Sequence, residues 1–125
     1  MLFDTDVLIW VQRGNERAAR AIQLSESRQI STQTYLELMQ CCKNRQHLRF
    51  AKQFIKDYQI QVIPLSENIG HRASVYIEQF SLSHGIRAGD AIIAATAVEH
   101  GLILCSANAK HFRMIPDLDY KSFKL

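Results

Sequence analysis

Several features that would define a class of protein are missing from this sequence. The longest apolar runs fall far short of the roughly 20 residues that a membrane-spanning helix needs. The first residues lack the basic region and the long apolar region of a secretory signal. The three cysteines form no CxxC pair, which is typical of a reducing compartment. We therefore expect a cytoplasmic protein with no membrane contact, in which the thiols serve as small apolar residues.

The signals of common metal sites and of repeat proteins are missing as well. The five histidines form no HxH or HExxH pair, which argues against a histidine-type zinc site. The sequence has no internal repeat, low-complexity segment or linker. With 125 residues, of which 47% are hydrophobic and 22% charged, we expect one domain over residues 1–125 with a substantial core. The net charge of +3 permits an anionic partner without requiring one.

What the sequence does contain is an alternation of short apolar runs with amphipathic stretches of helical spacing. The runs predict strands at residues 1–3, 29–31, 61–65 and 102–105, with one further edge strand in the basic tail 112–125. The amphipathic stretches and caps predict helices at residues 7–11, 16–25, 33–42, 47–58, 67–80 and 90–100, with a loop at 81–89 and a polar turn at 106–111. This order predicts an α/β fold with three layers (α/β/α), in which a mostly parallel sheet of four to five strands is the middle layer.

Polar residues follow the predicted strands at the points where the strands end. In a parallel sheet, functional sites lie outside the carboxyl ends of the strands. The helix 90–100 runs opposite to the strand that follows it, so its first residue is expected at the same edge. The residues predicted to share this rim are Asp4, Asp6, Glu37, Asp90, Ser106 and Asn108.

Such a group of acids favours a particular chemistry. Carboxylates held close together repel one another, and their pKa values rise unless a cation compensates the charge. Oxygen ligands from Asp and Glu suit Mg²⁺ or Mn²⁺. One or two such ions activate water and stabilise in-line phosphoryl transfer. Hydrolysis of this kind needs no Ser, Cys or His nucleophile.

Each rim residue also has an ordinary structural role to be weighed. Asp90 is a good helix N-cap, Glu37 lies off the apolar stripe of its helix as a solvated acid would, and Asp6 is favoured as the cap of the first helix over a metal ligand. Asn108 is a common turn former. Asp4 is the hardest to explain in this way, because it interrupts the end of a buried strand.

Four segments together resemble the PIN-domain ribonucleases, and among these the VapC-type toxins of bacterial toxin–antitoxin pairs. The opening hydrophobic–Asp-Thr-Asn–hydrophobic motif of the family resembles residues 2–10, LFDTDVLIW, and its second motif, which ends in Glu-Leu, resembles residues 30–38, ISTQTYLEL. The third motif closely resembles residues 89–97, GDAIIAATA. The fourth, Thr-x-Asn-x-x-acid-Phe, resembles residues 105–112, CSANAKHF. The segments occur in family order along the whole chain.

The resemblance implies Mg²⁺- or Mn²⁺-dependent hydrolysis of RNA, often of structured RNA such as tRNA. It implies that Asp4, Glu37 and Asp90 are the metal-binding acids. It further implies a homodimer and a cognate antitoxin that blocks the acid pocket.

Two positions depart from the family pattern. His111 stands where many relatives carry an acid, which leaves the fourth ligand open and makes Asn108 or Ser106 a candidate to hold a metal-bound water. Asp6 stands where Asn is commoner, and its charge is a candidate substitute for the missing acid. In the opening motif, Thr5 is expected to fix the turn through a hydrogen bond.

Substrate phosphates are expected to meet basic residues near the rim. Arg87 and Lys110 flank the motif residues and are preferred for this role. A second set of cations falls at helical spacing and is expected to be a solvated helix face: Arg45, Arg49, Lys52 and Lys56.

Two other functions compete with ribonuclease activity. The pair Asp4-x-Asp6 also resembles the start of haloacid-dehalogenase-type phosphatases, but the Gly-Thr that follows in that motif is absent and the chain is short for the class. The stronger alternative is a non-catalytic PIN-like RNA- or protein-binding module, which the missing fourth acid favours.

Overall fold

A parallel sheet forms the centre of the described chain. Its strands are β1 (Leu2–Phe3), β2 (Gln29–Ser31), β3 (Gln61–Ile63), β4 (Leu104–Ser106) and β5 (Tyr120–Ser122). Their order across the sheet is β3-β2-β1-β4-β5, and every neighbouring pair is parallel. The edge strand predicted in the basic tail is therefore β5. The computed structural model describes residues 1–124, and Leu125, at the end of the predicted domain and tail, lies outside them.

Helices connect the strands and cover both faces of the sheet. Within residues 1–124 they are α1 (Thr5–Gln12), α2 (Glu16–Gln23), α3 (Thr32–Gln40), α4 (Arg45–Asp57), α5 (Glu67–His84), α6 (Ala88–Glu99) and α7 (Ala109–Phe112). Together with the sheet they make the expected three-layer α/β/α fold. None of the helices in this part of the chain is long and apolar enough to cross a membrane.

Most boundaries differ from the sequence prediction by one or two residues, and three differences have a clear structural basis. The first helix begins at Thr5 instead of residue 7, because Asp4 adopts an extended backbone (φ −69°, ψ 159°) and caps it. The predicted loop 81–89 is mostly helical, since α5 continues to His84 and stops at Gly85, whose φ of 69° suits a residue without a side chain. The predicted polar turn at 106–111 begins with the last residue of β4, Ser106, and overlaps the single-turn helix α7.

The two faces of the sheet bury separate cores. Along a strand, successive side chains point to opposite faces, so Leu2 packs with α5 and α6 while Phe3 packs with α1, α2 and α4. In the same way Leu104 faces the first core and Cys105 the second. Because helices cover both faces of the sheet, a charged side chain at the end of a central strand is shielded from water on both faces.

Predictions about individual surface and core residues had mixed outcomes. The basic stripe of α4 is exposed along its length, as expected: Arg45, Arg49, Lys52 and Lys56. Cys105 is buried, and burial raises the pKa of its thiol to about 11, which suits an apolar role. Cys41 is exposed, so the expectation that it serves as an apolar residue is wrong.

Candidate active site

Asp4 stands at the junction of β1 and α1. One carboxylate oxygen, Oδ1, accepts a hydrogen bond from the Thr5 backbone N–H at 2.8 Å. The other, Oδ2, accepts one from the Ser106 hydroxyl at 2.8 Å. Only 6% of the residue is exposed. A single side chain therefore caps α1 and links the ends of β1 and β4, whose parallel register places Asp4 one residue beyond the pair Phe3 and Cys105.

The charge of Asp4 is poorly compensated. Burial is the main cause that raises the pKa of its carboxyl from 3.8 to about 7, and the nearby charges of Asp6 and Asp90 raise it further. The hydrogen bonds from Ser106 and Thr5 oppose this rise but do not cancel it. At neutral pH the rim therefore holds an acid that a cation would stabilise in its charged form.

Asp6 lies in the first turn of α1 and also faces the rim. Its Oδ2 accepts a hydrogen bond from the Ala107 backbone N–H at 3.0 Å, whereas its Oδ1 is buried with no partner among the described residues. Burial raises the pKa of this carboxyl above its usual value. The expectation that Asp6 caps the first helix is wrong, because Asp4 does so.

Glu37 is held from two sides. The Thr5 hydroxyl donates a hydrogen bond to its Oε2 at 2.6 Å, and the Gln33 amide donates one to its Oε1 at 2.9 Å. The Thr5 hydroxyl also lies 3.1 Å from that of Thr34. Thr5 thus links α1 to α3 instead of closing the turn as expected, and Glu37 is a half-buried, oriented carboxylate, not a freely solvated acid.

Gly89 lets α6 approach this carboxylate closely. A methyl group added at Gly89 would lie 3.1 Å from both Gln33 Nε2 and Glu37 Oε1. These distances are shorter than ordinary van der Waals contacts, so any larger residue at position 89 requires the side chains of Gln33 and Glu37 to move. The glycine before Asp90 is thus part of the site through the space it leaves.

The substitution Gly89→Ala is expected to lower the RNA cleavage that the family resemblance implies, without lowering stability. Alanine stabilises a helix by up to about 1 kcal/mol relative to glycine. Its methyl group would, however, displace the Glu37 carboxylate, and a small misplacement of a catalytic group lowers the reaction rate roughly tenfold or more. Cleavage rates and thermal unfolding measure the two effects. The matched control is Gly70→Ala in α5, where the added methyl group meets open space, so stability should rise with cleavage unchanged. Equal cleavage by both variants would contradict the close-approach role of Gly89.

Asp90 lies in the first turn of α6, and not at its N-cap as one interpretation had it, since that position belongs to Arg87. Burial raises the pKa of the Asp90 carboxyl, and the charge of Glu37 raises it further, while His111 and Arg87 lower it. His111 Nδ1 approaches Asp90 Oδ2 to 3.1 Å. The residue at the fourth-motif acid position therefore reaches the rim.

The remaining predicted residues are Ser106, Asn108, Arg87 and Lys110. Ser106 is fully buried, and besides binding Asp4 its hydroxyl accepts a hydrogen bond from the Asn108 backbone N–H at 2.9 Å. The Asn108 side chain does not cap α7 and the residue is exposed. Arg87 and Lys110 are exposed at the starts of α6 and α7, where a bound polyanion can reach them.

The donor set suits a hydrated hard cation. Within residues 1–124, no three carboxylate, imidazole or thiol groups already converge to enclose an ion. Mg²⁺, however, usually keeps several waters and takes only one or two protein carboxylates together with substrate phosphates. The unpartnered Asp6 oxygen and the raised pKa of Asp4 both indicate negative charge without a counterion. Asp4, Asp90 and Glu37, together with the unpartnered oxygen of Asp6, are the carboxylates at the rim that could supply oxygens.

Sequence reasoning missed the residues that orient the acids. Gln33 and Thr34 read as ordinary polar residues of α3, yet they hold Glu37 and Thr5. Their separation of three to four residues from Glu37, on the same helix face, was the available signal. The close approach at Gly89 could not be predicted from the sequence, apart from the position of this glycine next to Asp90.

Comparisons with known proteins identify the family and the fold of the chain. A family model described as PIN domain matches residues 1–117, and no curated protein sequence matches significantly. A chain of the toxin–antitoxin complex from Klebsiella pneumoniae is 27% identical, with a TM-score of 0.83 over 99% of this chain and 98% of that one. A chain of VapBC-1 from nontypeable Haemophilus influenzae is 24% identical, with a TM-score of 0.80 over 97% and 96%. A chain of VapBC2 from Rickettsia felis, bound to a promoter DNA fragment, is 17% identical, with a TM-score of 0.82 over 98% of each chain. The latter two likenesses concern the fold alone.

Proposed function

The chain belongs to the PIN domain family, and from this premise we propose that it is a divalent-metal-dependent ribonuclease that acts as the toxin of a toxin–antitoxin pair. The toxin role is supported by the solved toxin–antitoxin complex to which the chain is 27% identical over nearly its whole length. The proposed partners are an RNA substrate, a cognate antitoxin protein and a second copy of the chain in a homodimer.

The observation that carries the nuclease proposal is the buried Asp4 carboxyl, whose pKa is raised to about 7 among other acids. Such an arrangement destabilises the protein by itself, and it becomes favourable when Mg²⁺ or Mn²⁺ binds. A purely structural cap at the end of β1 would need no second and third acid nearby. In this proposal Asp4 and Asp90 bind the cation, with Glu37 as the third acid.

In this proposal, neighbouring residues of the chain orient the carboxylates that would bind the cation. When bound, the cation supplies Lewis-acid stabilisation of the phosphate and lowers the pKa of a water. Ser106 and the Thr5 backbone hold the Asp4 carboxylate in a fixed orientation, and Thr5 and Gln33 hold Glu37.

Arg87 and Lys110 are proposed to contact the RNA backbone. Both are exposed, and both lie next to residues of the rim in the sequence. Contacts of this kind are electrostatic, so RNA affinity should fall as salt rises.

A non-catalytic binding module is the second candidate, because a histidine replaces the fourth-motif acid.

The experiment that distinguishes the two functions is an RNA cleavage assay on the purified chain with Mg²⁺, with Mn²⁺ and with chelator, using total RNA and tRNA. Cleavage that requires a cation and is absent from an Asp90→Asn preparation supports the nuclease. Metal and RNA binding without any cleavage would favour the binding module, and cleavage unaffected by chelator would exclude the metal mechanism.

A further inference from the structure

His111 brings an unused nitrogen to the acid rim. Its Nδ1 is buried and has no hydrogen-bond partner among residues 1–124, although it lies 3.1 Å from Asp90 Oδ2. The approach thus lacks the alignment of a hydrogen bond, so the imidazole does not serve to orient the carboxylate in the way that a histidine–carboxylate pair usually does. The nitrogen is close enough to Asp90 for an ion pair when the imidazole is protonated, but because it makes no hydrogen bond, its lone pair is free for another partner when the imidazole is neutral.

The separation of these two atoms is that of neighbouring ligands on one ion. A metal–nitrogen or metal–oxygen bond in such sites is about 2.1 Å long. Two donors at right angles around one ion are then about 3.0 Å apart, close to the observed 3.1 Å between His111 Nδ1 and Asp90 Oδ2. Each atom has a lone pair available for the ion when the imidazole is neutral.

We propose that His111 is a nitrogen ligand to the cation bound by Asp90, and that it shifts the metal preference of the site from Mg²⁺ towards Mn²⁺ and later first-row ions such as Co²⁺. This inference rests on the proposed metal-dependent function. Carboxylate oxygens suit Mg²⁺ and Mn²⁺ alike, whereas imidazole binds transition-metal ions in preference to Mg²⁺. One imidazole among carboxylates also differs from a histidine-type zinc site, which uses several.

The direct test looks for the nitrogen at the bound ion. Mn²⁺ is added to the metal-free protein, and electron spin echo spectroscopy records whether a ¹⁴N nucleus modulates the signal. The wild type and His111→Asn are compared with the control His100→Asn. His100 is exposed and follows the far end of α6, about 15 Å from Asp90 along the helix. The modulation should be present in the wild type and the control and absent from His111→Asn.

A second measurement does not depend on one variant being well folded. The ratio of Mn²⁺ to Mg²⁺ affinity, measured by calorimetry, should fall about tenfold or more in His111→Asp, which restores an all-oxygen site. An unchanged ratio in a folded variant, or bound Mn²⁺ without nitrogen modulation in the wild type, would overturn the inference.

RNA cleavage on the same samples separates this inference from the proposed function. Cation-dependent cleavage without nitrogen modulation refutes the role of His111 alone. Failure of the wild type both to bind Mn²⁺ and to cleave RNA refutes both proposals.

Discussion

Replacing Asp4 by Asn is expected to lower RNA cleavage by at least about a thousandfold while leaving the chain folded. Losing the Lewis-acid contribution of a metal ion removes several kcal/mol of transition-state stabilisation, and each 1.36 kcal/mol is about tenfold in rate. Asparagine keeps an oxygen for the Thr5 N–H, and its amide can donate to the Ser106 hydroxyl. The substitution therefore removes the charge but not the cap.

The same variant should be more stable than the metal-free wild type at high pH. The pKa of Asp4 is raised in the folded protein to about 7 from 3.8, so ionised Asp4 destabilises the fold. The destabilisation is absent below pH 3.8, grows between pH 3.8 and 7 and is complete above pH 7. At pH 8 the gain in the free energy of unfolding should be about 1–3 kcal/mol, allowing for the buried amide.

Denaturant unfolding at pH 4 and at pH 8, together with cleavage rates, measures these effects. A variant that cleaves RNA like the wild type would exclude Asp4 as a metal ligand. A variant that is less stable than the metal-free wild type at pH 8 would show that the Asp4 charge is compensated in a way that the structure does not indicate.

Binding of Mn²⁺ is expected to stabilise the wild type strongly at pH 8 and weakly at pH 5. At a concentration 100 times its dissociation constant, a ligand stabilises the folded state by about 2.7 kcal/mol, which corresponds to a rise in Tm of roughly 10 °C for a domain of this size. At pH 5, two units below the pKa of about 7 for Asp4, protons compete about a hundredfold. The stabilisation at the same Mn²⁺ concentration then falls to about 0.4 kcal/mol.

Thermal unfolding with and without Mn²⁺ at the two pH values gives this comparison. Asp4→Asn serves as the control and should show little Mn²⁺-dependent shift at either pH. An equal shift at pH 5 and pH 8 in the wild type would mean that the stabilising ion binds elsewhere.

The sequence was sufficient to predict the layers of the fold and which strand ends carry acids. Strand and helix periods are local, and parallel strands bring their carboxyl ends to one edge. The structural role of each acid, by contrast, depends on contacts that the local sequence does not determine. Asp6 was expected to cap a helix, yet capping depends on which residue takes the extended backbone, and that is Asp4.

The hydrogen bonds that orient the acids were also beyond a local prediction. Glu37 lies off the apolar stripe of α3, so it reads as solvated until α1 brings the Thr5 hydroxyl to 2.6 Å from it. Similarly, the continuation of α5 to His84 could not be predicted from a segment with few apolar residues; the last turn is instead accompanied by an edge contact between the Phe80 and His84 rings and ends at the left-handed Gly85. His111 departs from the family pattern, but its approach to Asp90 is visible only in the fold.

The most direct test of the central claim is a calorimetric titration of Mn²⁺ into metal-free protein at pH 8, for the wild type, Asp4→Asn and Asp90→Asn. The claim is that the rim acids bind a divalent cation. It predicts binding to the wild type and a large loss of affinity in both variants, with circular dichroism confirming that they are folded. Mn²⁺ binding of equal affinity in all three proteins, or no binding to the wild type, would contradict it.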